Sequence, residues 1–172
     1  MKRILIIGSG GAGKSTLSKQ LGEKLSIPVY HLDTIFWKPG WTPTDRDIFR
    51  AEIEHLMAAD EWIMDGNFGG TLDSRLQRCD TVIFLHYSRW TCLLRAVKRR
   101  LMYHGKSRPD MTEGCKEKID LDFLKWIYFY NDRQAPQVIE KLSRSSIERI
   151  VHLKSPSATS KWFNNLPSSY SK

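Results

Sequence analysis

The 172-residue sequence is poor in cysteine: Cys79, Cys92 and Cys115 are its full complement. An odd number of widely spaced thiols fits neither a disulfide framework nor a zinc-ligand spacing, and predicts free thiols in a reducing compartment. Long apolar runs are also missing. The first, Ile4 to Ile7, is too short for the apolar region of a secretory signal. No later run approaches the roughly 20 residues of a membrane span, so the expected location is cytoplasmic, without a membrane partner. Acidic residues are absent from one place in particular. Between Arg89 and Arg108 stand seven Lys or Arg and no Asp or Glu, while the rest of the chain holds 20 basic and 19 acidic residues. The net charge of +8 is therefore a local feature. It calls for a local anionic partner, either nucleotide phosphates or nucleic acid. No internal repeat or low-complexity linker is evident. The length suits one domain over 1–172 with a real core.

What is present is an alternation of strand-like and helix-like segments. "RILII" is a short apolar run of buried-strand type, followed by a helix from Gly13 with Leu17, Leu21 and Leu25 on one face. Ile27-Pro28 stops that helix. "VYHLD" (29–33) reads as a second strand, and "TIFWKPGWTP" as a loop rich in aromatics. Thr44 and Asp47 resemble a capping box, opening a helix with Ile48, Ile53, Leu56 and Met57 inward. "EWIMDG" and "TVIFLHY" are further strands, with a short helix between them at 72–79. A long helix is predicted at about 88–104, with Trp90, Leu94, Val97 and Leu101 inward. A loop at about 104–120 follows, then a helix holding Phe123, Trp126, Ile127 and Tyr130. Pro136 kinks that helix or starts another. "RIVHL" is a last strand, before a terminal helix and a frayed tail at 167–172. Strands alternating with helices predict an α/β fold with a parallel, doubly wound sheet.

"GSGGAGKS" (8–15) matches G-x-x-x-x-G-K-[ST] at every fixed position, with a strand before it and a helix after it. Gly8, Ser9, Gly10, Gly11, Ala12 and Gly13 would turn successive amides toward one anion. The helix N-terminus adds its dipole and its free amides, so the cradle runs on through Lys14, Ser15 and Thr16. Lys14 would reach the β- and γ-phosphates of a nucleotide, and the Ser15 hydroxyl would face Mg²⁺. Such loops support Mg²⁺ with an acidic residue at the end of a neighbouring strand, and Asp33 and Asp65 are both candidates.

The order of P-loop, strand–Asp, strand–"DG", strand–arginine-rich helix, loop and final strand resembles the nucleoside monophosphate kinases. The implied fold is a P-loop NTPase with a five-stranded parallel sheet and a short helical lid. More narrowly, "HLDTIFWKPGW", "DGNFGGTLDSR", "DTVIFL", "RPDMTEGC" and "DFLKWIY" resemble the bacterial DNA topology modulation proteins, small relatives of adenylate kinase. The kinase resemblance implies ATP and Mg²⁺ as cofactors. It places the "DG" aspartate at Asp65 and the paired arginines leading into the lid at Arg95 and Arg99, four apart on one helix face. It puts the arginine on the far side of the lid at Arg133, and an adenine-packing segment at "KSPSA" (154–158).

The acceptor side departs from adenylate kinase. Where that enzyme has Phe-Pro-Arg after "DG", this chain has Asn67-Phe68-Gly69-Gly70, which disfavours AMP. Asp33 stands where a carboxylate would orient an acceptor hydroxyl or take its proton. His31, two residues away, would orient Asp33 or serve in the core. Arg46, Arg50 and Arg75 are candidates to grip an anionic acceptor. Trp37 and Phe68, with Phe36 and Trp41, would stack on a planar substrate or floor the loop. The expected activity is ATP-dependent phosphoryl transfer to a small acceptor, a nucleoside, nucleotide or hydroxylated metabolite. The alternatives are an ATP-dependent switch and a nucleic-acid-associated regulator. The last is not favoured, because no helix-turn-helix, zinc-finger or RNA-recognition signature is present.

Overall fold

Strand β1 (Arg3–Gly8) runs through the middle of the molecule, with Leu5 and Ile7 facing one apolar layer and Ile4 and Ile6 the other. All four are essentially inaccessible to solvent, as expected of a central parallel strand covered on both faces. The computed structural model describes residues 1–103, 112–115 and 120–167. The expected lid at 104–120 is thus covered only at 112–115 and 120, and residues 168–172 of the tail also lie outside the described residues.

Along the chain follow α1 (Lys14–Leu25), β2 (Val29–His31), α2 (Leu32–Phe36), β3 (Trp37–Lys38), a 3₁₀ turn (Pro39–Trp41) and β4 (Thr42–Pro43). Next come α3 (Arg46–Leu56), β5 (Trp62–Asp65), α4 (Gly69–Arg78), β6 (Thr81–Leu85) and α5 (Arg89–Met102). The remainder is α6 (Leu121–Arg133), α7 (Ala135–Ser143), β7 (Arg149–Leu153) and α8 (Pro156–Asn164). Five strands form one parallel sheet in the order β2-β5-β1-β6-β7. This is a P-loop fold of the nucleoside monophosphate kinase type. Because β5 and β6 flank β1 on opposite sides, a crevice opens outside the carboxyl ends of these strands, where ligands bind in such sheets. Register brings Asp65 level with Ile6, and Leu85 level with Gly8.

Four local expectations are corrected. β2 stops at His31, and Asp33 lies in the first turn of α2 rather than in the strand. The loop after it holds that helix and the two-residue ladder β3–β4, in which Trp37 faces Pro43. The cap of α3 is Asp45, whose carboxylate accepts from the amides of Asp47 and Ile48, while Thr44 donates to the Ile35 carbonyl. α3 buries Phe49 and Ile53 and leaves Ile48 exposed.

The largest correction concerns α5. It buries Cys92 and Ala96, while Trp90, Leu94, Val97 and Leu101 face outward. The cause is steric. A β-carbon on Gly11 would run into the Cys92 carbonyl and the Ala96 amide. Only small side chains let the helix come so close to the glycine loop.

Candidate active site

The glycine turn is wedged between neighbours on three sides. Added β-carbons would strike the Leu85 carbonyl at Gly8, Phe123 and Ile127 at Gly10, and α5 at Gly11. Gly11 (φ 75°) and Gly13 (φ 95°) occupy the left-handed region that side chains disfavour. Gly13 opens α1 with no side-chain cap, so the first-turn amides point into the turn without one. Uncapped amides at a helix N-terminus beside a glycine turn suit an anion. Lys14 curls back over the turn, donating from Nζ to the Gly8 carbonyl at 2.9 Å and the Ser9 carbonyl at 3.0 Å. Its pKa is lowered from the ordinary lysine value, chiefly by burial. Asp33 and Asp65 oppose that shift and Arg99 adds to it. The same interactions show that Lys14, Asp33, Asp65 and Arg99 share one electrostatic neighbourhood.

Asp65 ends β5 and is buried. Its Oδ1 lies 3.4 Å from Ser15 Oγ, and its Oδ2 lies 2.5 Å from both Ser18 Oγ and His31 Nδ1. Ser15 and Asp65, the expected metal pair, are therefore side by side. His31 reaches Asp65. An aspartate fixed this way beside a half-buried hydroxyl is a donor set of hard oxygens, which suits Mg²⁺. Arg95 approaches the turn from α5: a β-carbon at Gly13 would lie 3.4 Å from its Nη2. Arg133 is placed differently. Its guanidinium stacks on Phe129, 4.5 Å from the ring centroid and six residues beyond Ile127, which touches the turn.

On the expected acceptor side, Phe36, Phe49 and Phe68 pack together with centroids 4.9–5.1 Å apart. Trp37 meets Phe36 edge-on at 4.8 Å, with Trp41 beyond it at 5.6 Å. The phenylalanines are thus a floor joined to the core, and the half-buried Trp37 forms the upper layer. Arg46 and Arg50 are solvated on α3, Arg50 within 3.7 Å of Asp47.

Arg75 corrects its expected role as an anion grip. It is fully buried and donates to the carbonyls of Gly66 (2.9 Å), Asn67 (2.5 Å), Phe68 (3.0 Å) and Thr71 (3.2 Å), and to the Thr71 hydroxyl. Burial pushes its pKa down to about 10, which leaves it cationic at neutral pH. Its guanidinium holds the turn in which Phe68 adopts a positive φ of 31°.

Three contacts escaped sequence reasoning. Asn67 hydrogen-bonds both the amide and the carbonyl of Gly8. Ser18, one turn beyond Ser15 on the same helix face, anchors Asp65. Residues 112–115 dock on the aromatic loop: Thr112 Oγ1 donates to the Thr34 and Trp37 carbonyls at 3.1 and 2.6 Å, and Cys115 Sγ to the Lys38 carbonyl at 3.2 Å. The middle of the expected lid segment is thus tied to the aromatic loop.

The sheet order, the glycine turn and the lysine at the head of α1 define a P-loop kinase fold. Solved structures agree. A shikimate kinase from Bacteroides thetaiotaomicron is similar at a TM-score of 0.55 and 18% identity, over 95% of this chain and 94% of that one. A shikimate kinase from Acinetobacter baumannii in complex with shikimate is similar at 0.56 and 16%, over 97% and 96%. No protein-family model and no curated protein matches the chain. Among the described residues, no helix is long and apolar enough to cross a membrane.

Proposed function

We propose that the protein is an ATP-dependent phosphotransferase acting on a small hydroxylated acceptor. The observation that carries this reading is the convergence of Lys14, Asp33, Asp65 and Arg99 at the glycine turn. In this reading the uncapped amides of α1 bind the nucleotide phosphates, and Lys14 swings from the Gly8 and Ser9 carbonyls to the β- and γ-oxygens. Arg95 and Arg99 approach from α5 and neutralise charge that develops during transfer. Ser15 and, through water, Asp65 would hold Mg²⁺, which when bound supplies charge neutralisation at the phosphates. His31 and Ser18 fix the Asp65 carboxylate. Asp33 orients the acceptor hydroxyl and takes its proton. The Trp37 layer covers the acceptor. Transfer of this kind depends on positioning more than on covalent chemistry.

The test is ADP release from MgATP against a panel of nucleosides, nucleotides and hydroxylated metabolites, with Asp33→Asn run beside the wild type. Shikimate belongs in the panel because a structural neighbour holds it. Stimulation by one acceptor, lost in Asp33→Asn while ATP still binds, supports the reading and names the substrate. ATP binding with no stimulation by any acceptor turns the assignment to a nucleotide-dependent switch. The resemblance to DNA topology modulation proteins is compatible with that second role.

A further inference from the structure

Ser18 lies on the inward face of α1 with Leu17 and Leu21, fully buried, at a position where alanine would suit both the helix and the core. A buried hydroxyl needs a partner to offset its desolvation. Three acceptors lie close to Ser18 Oγ: the Lys14 carbonyl at 3.0 Å, the Ser15 carbonyl at 3.1 Å and Asp65 Oδ2 at 2.5 Å. The hydroxyl has one proton to give. The carboxylate is the nearest acceptor and the charged one, so the proton goes there. His31 comes from another element. The β2–β5 register sets it beside Asp65, and its Nδ1 lies 2.5 Å from the same Oδ2. An ionised carboxylate only accepts, so His31 Nδ1 is the donor in that contact. A carboxylate oxygen has two lone pairs, and on Oδ2 both are taken. Oδ1 is held more loosely, facing Ser15 Oγ at 3.4 Å. Asp65 thus offers the glycine turn one oxygen rather than two.

Building on the ATP-binding reading above, we propose that Ser18 and His31 are positioning residues that select the nucleotide-bound cation: with Oδ2 saturated, Asp65 serves that cation through Oδ1 alone, which favours Mg²⁺ over Ca²⁺. The two ions ask different things of a carboxylate. Ca²⁺ fills a wide shell of about six to eight oxygens and gains from a carboxylate that chelates through both of its own. Mg²⁺ keeps a compact octahedron and several of its waters, so one carboxylate oxygen, reached directly or through water, is enough. For Asp65 to chelate, its carboxylate would have to turn and give up both donors on Oδ2. Those are short, charge-assisted hydrogen bonds to a buried group, and losing them opposes the turn. Because the two donors stand on α1 and next to β5 on β2, the carboxylate is held from two independent elements.

The probes are the Mg²⁺ and Ca²⁺ complexes of AMP-PNP, an ATP analogue that resists hydrolysis, each titrated into the full-length protein by calorimetry with the metal in excess. Neither an acceptor nor turnover is needed. The wild type is expected to bind the Mg²⁺ complex about tenfold or more tightly than the Ca²⁺ complex. Ser18→Ala and His31→Leu each free one lone pair of Oδ2, and each should cut that preference to about threefold or less. His31→Asn keeps an amide donor near the place of Nδ1 and should restore most of the preference lost in His31→Leu. A thermal melt checks the fold of each variant. The two positions belong to different elements, so if one variant fails to fold the other decides. An anchor with a structural role alone would weaken both complexes equally, and that result overturns the proposal. So does a wild type that binds both complexes with equal affinity, or a preference that neither substitution moves. A wild type that binds neither complex overturns the nucleotide reading and the choice of cation with it, an outcome distinct from binding without discrimination.

Discussion

Asn67 grips both polar groups of the Gly8 peptide: its Oδ1 accepts the Gly8 amide at 3.1 Å, and its Nδ2 donates to the Gly8 carbonyl at 2.9 Å. β5 ends at Asp65, so the asparagine continues the sheet pairing of β1 by two residues with a side chain in place of a strand. The Gly8 carbonyl it holds also accepts Lys14 Nζ. Asn67→Ala is therefore expected to loosen the entry to the glycine turn. The loss of two part-buried hydrogen bonds amounts to about 1–3 kcal/mol of stability. ATP affinity should fall about tenfold with it, because the amides of the turn are no longer pre-organised. Asn67→Asp keeps the acceptor but sets a carboxylate oxygen against the Gly8 carbonyl, and should cost at least as much as Asn67→Ala. Titration calorimetry with ATP and a thermal melt of each variant check the pair of effects.

Arg75 separates a structural role from a substrate role. Its donors go to the carbonyls of Gly66, Asn67, Phe68 and Thr71, and none of its surface is exposed. Arg75→Met removes the donors to the Gly66 and Asn67 carbonyls, while those of Phe68 and Thr71 keep donors from Thr71 and Ser74, and Arg75→Lys lacks the planar fork that reaches several of them at once. Each is expected to lose about 3 kcal/mol or more in a urea melt. Arg46→Ala, at an exposed position, should stay within about 0.5 kcal/mol. A variant of Arg75 that melts normally while its acceptor KM rises would restore the anion-gripping role.

How far the sequence could be read depended on whether a signal was local. β1, the glycine turn and α1 were legible because their residue types and spacing carry the phosphate-binding geometry within 20 residues. β5 and β6 were legible as apolar runs, the first closed by Asp65 and the second read two residues too long, through Tyr87. The face of α5 was not. Hydrophobicity ranks Leu94 above Ala96, but close approach to Gly11 selects the small side chain. Arg75 escaped because an arginine is exposed far more often than buried, and its carbonyl partners gather only once the 66–68 turn forms. His31 and Asp65 lie 34 residues apart and meet through the β2–β5 register, which no local pattern reports. The 3.0 Å spacing of His86 and His152 has the same origin in β6 and β7.

Lys14 is half-buried under opposing influences, and that predicts how its removal divides between stability and activity. Lys14→Ala deletes two hydrogen bonds to the Gly8 and Ser9 carbonyls, and also deletes a half-buried charge whose desolvation lowers its pKa. The two changes offset each other, so the melting temperature is expected to move little while ATP turnover is lost. Arg99, which adds to that lowering, is expected to act on the transfer itself. Arg99→Ala should reduce kcat about a hundredfold with a smaller change in ATP affinity. Comparing turnover with separately measured ATP binding checks both variants. An unchanged kcat in Arg99→Ala would remove the arginine from the transfer step.

His86 and His152 predict the acid side of the stability profile. Their rings share a hydrogen bond between Nδ1 of His86 and Nε2 of His152 at 3.0 Å, and both stack near Phe84. Burial lowers the pKa of His86 below 6.5, with further lowering from His152 and Lys154; burial and then Lys154 lower that of His152. A depressed histidine pKa means that the unfolded chain takes up protons first as pH falls. Between the ordinary value and the folded value the unfolded state therefore binds more protons, and stability rises with pH there. Stability is thus complete above about pH 6.5 and declines on acidification below it. Asp80, whose pKa is lowered because hydrogen bonds from Thr81, Arg3 and Lys2 outweigh its desolvation, acts only in the more acidic carboxylate range. The two windows separate in a thermal melt. The melting temperature should fall as pH drops from about 7 to about 5, and His152→Gln should make that fall shallower by removing one site of differential proton uptake. Equal slopes in wild type and variant would take the histidine pair out of the acid response and leave it to the carboxylates.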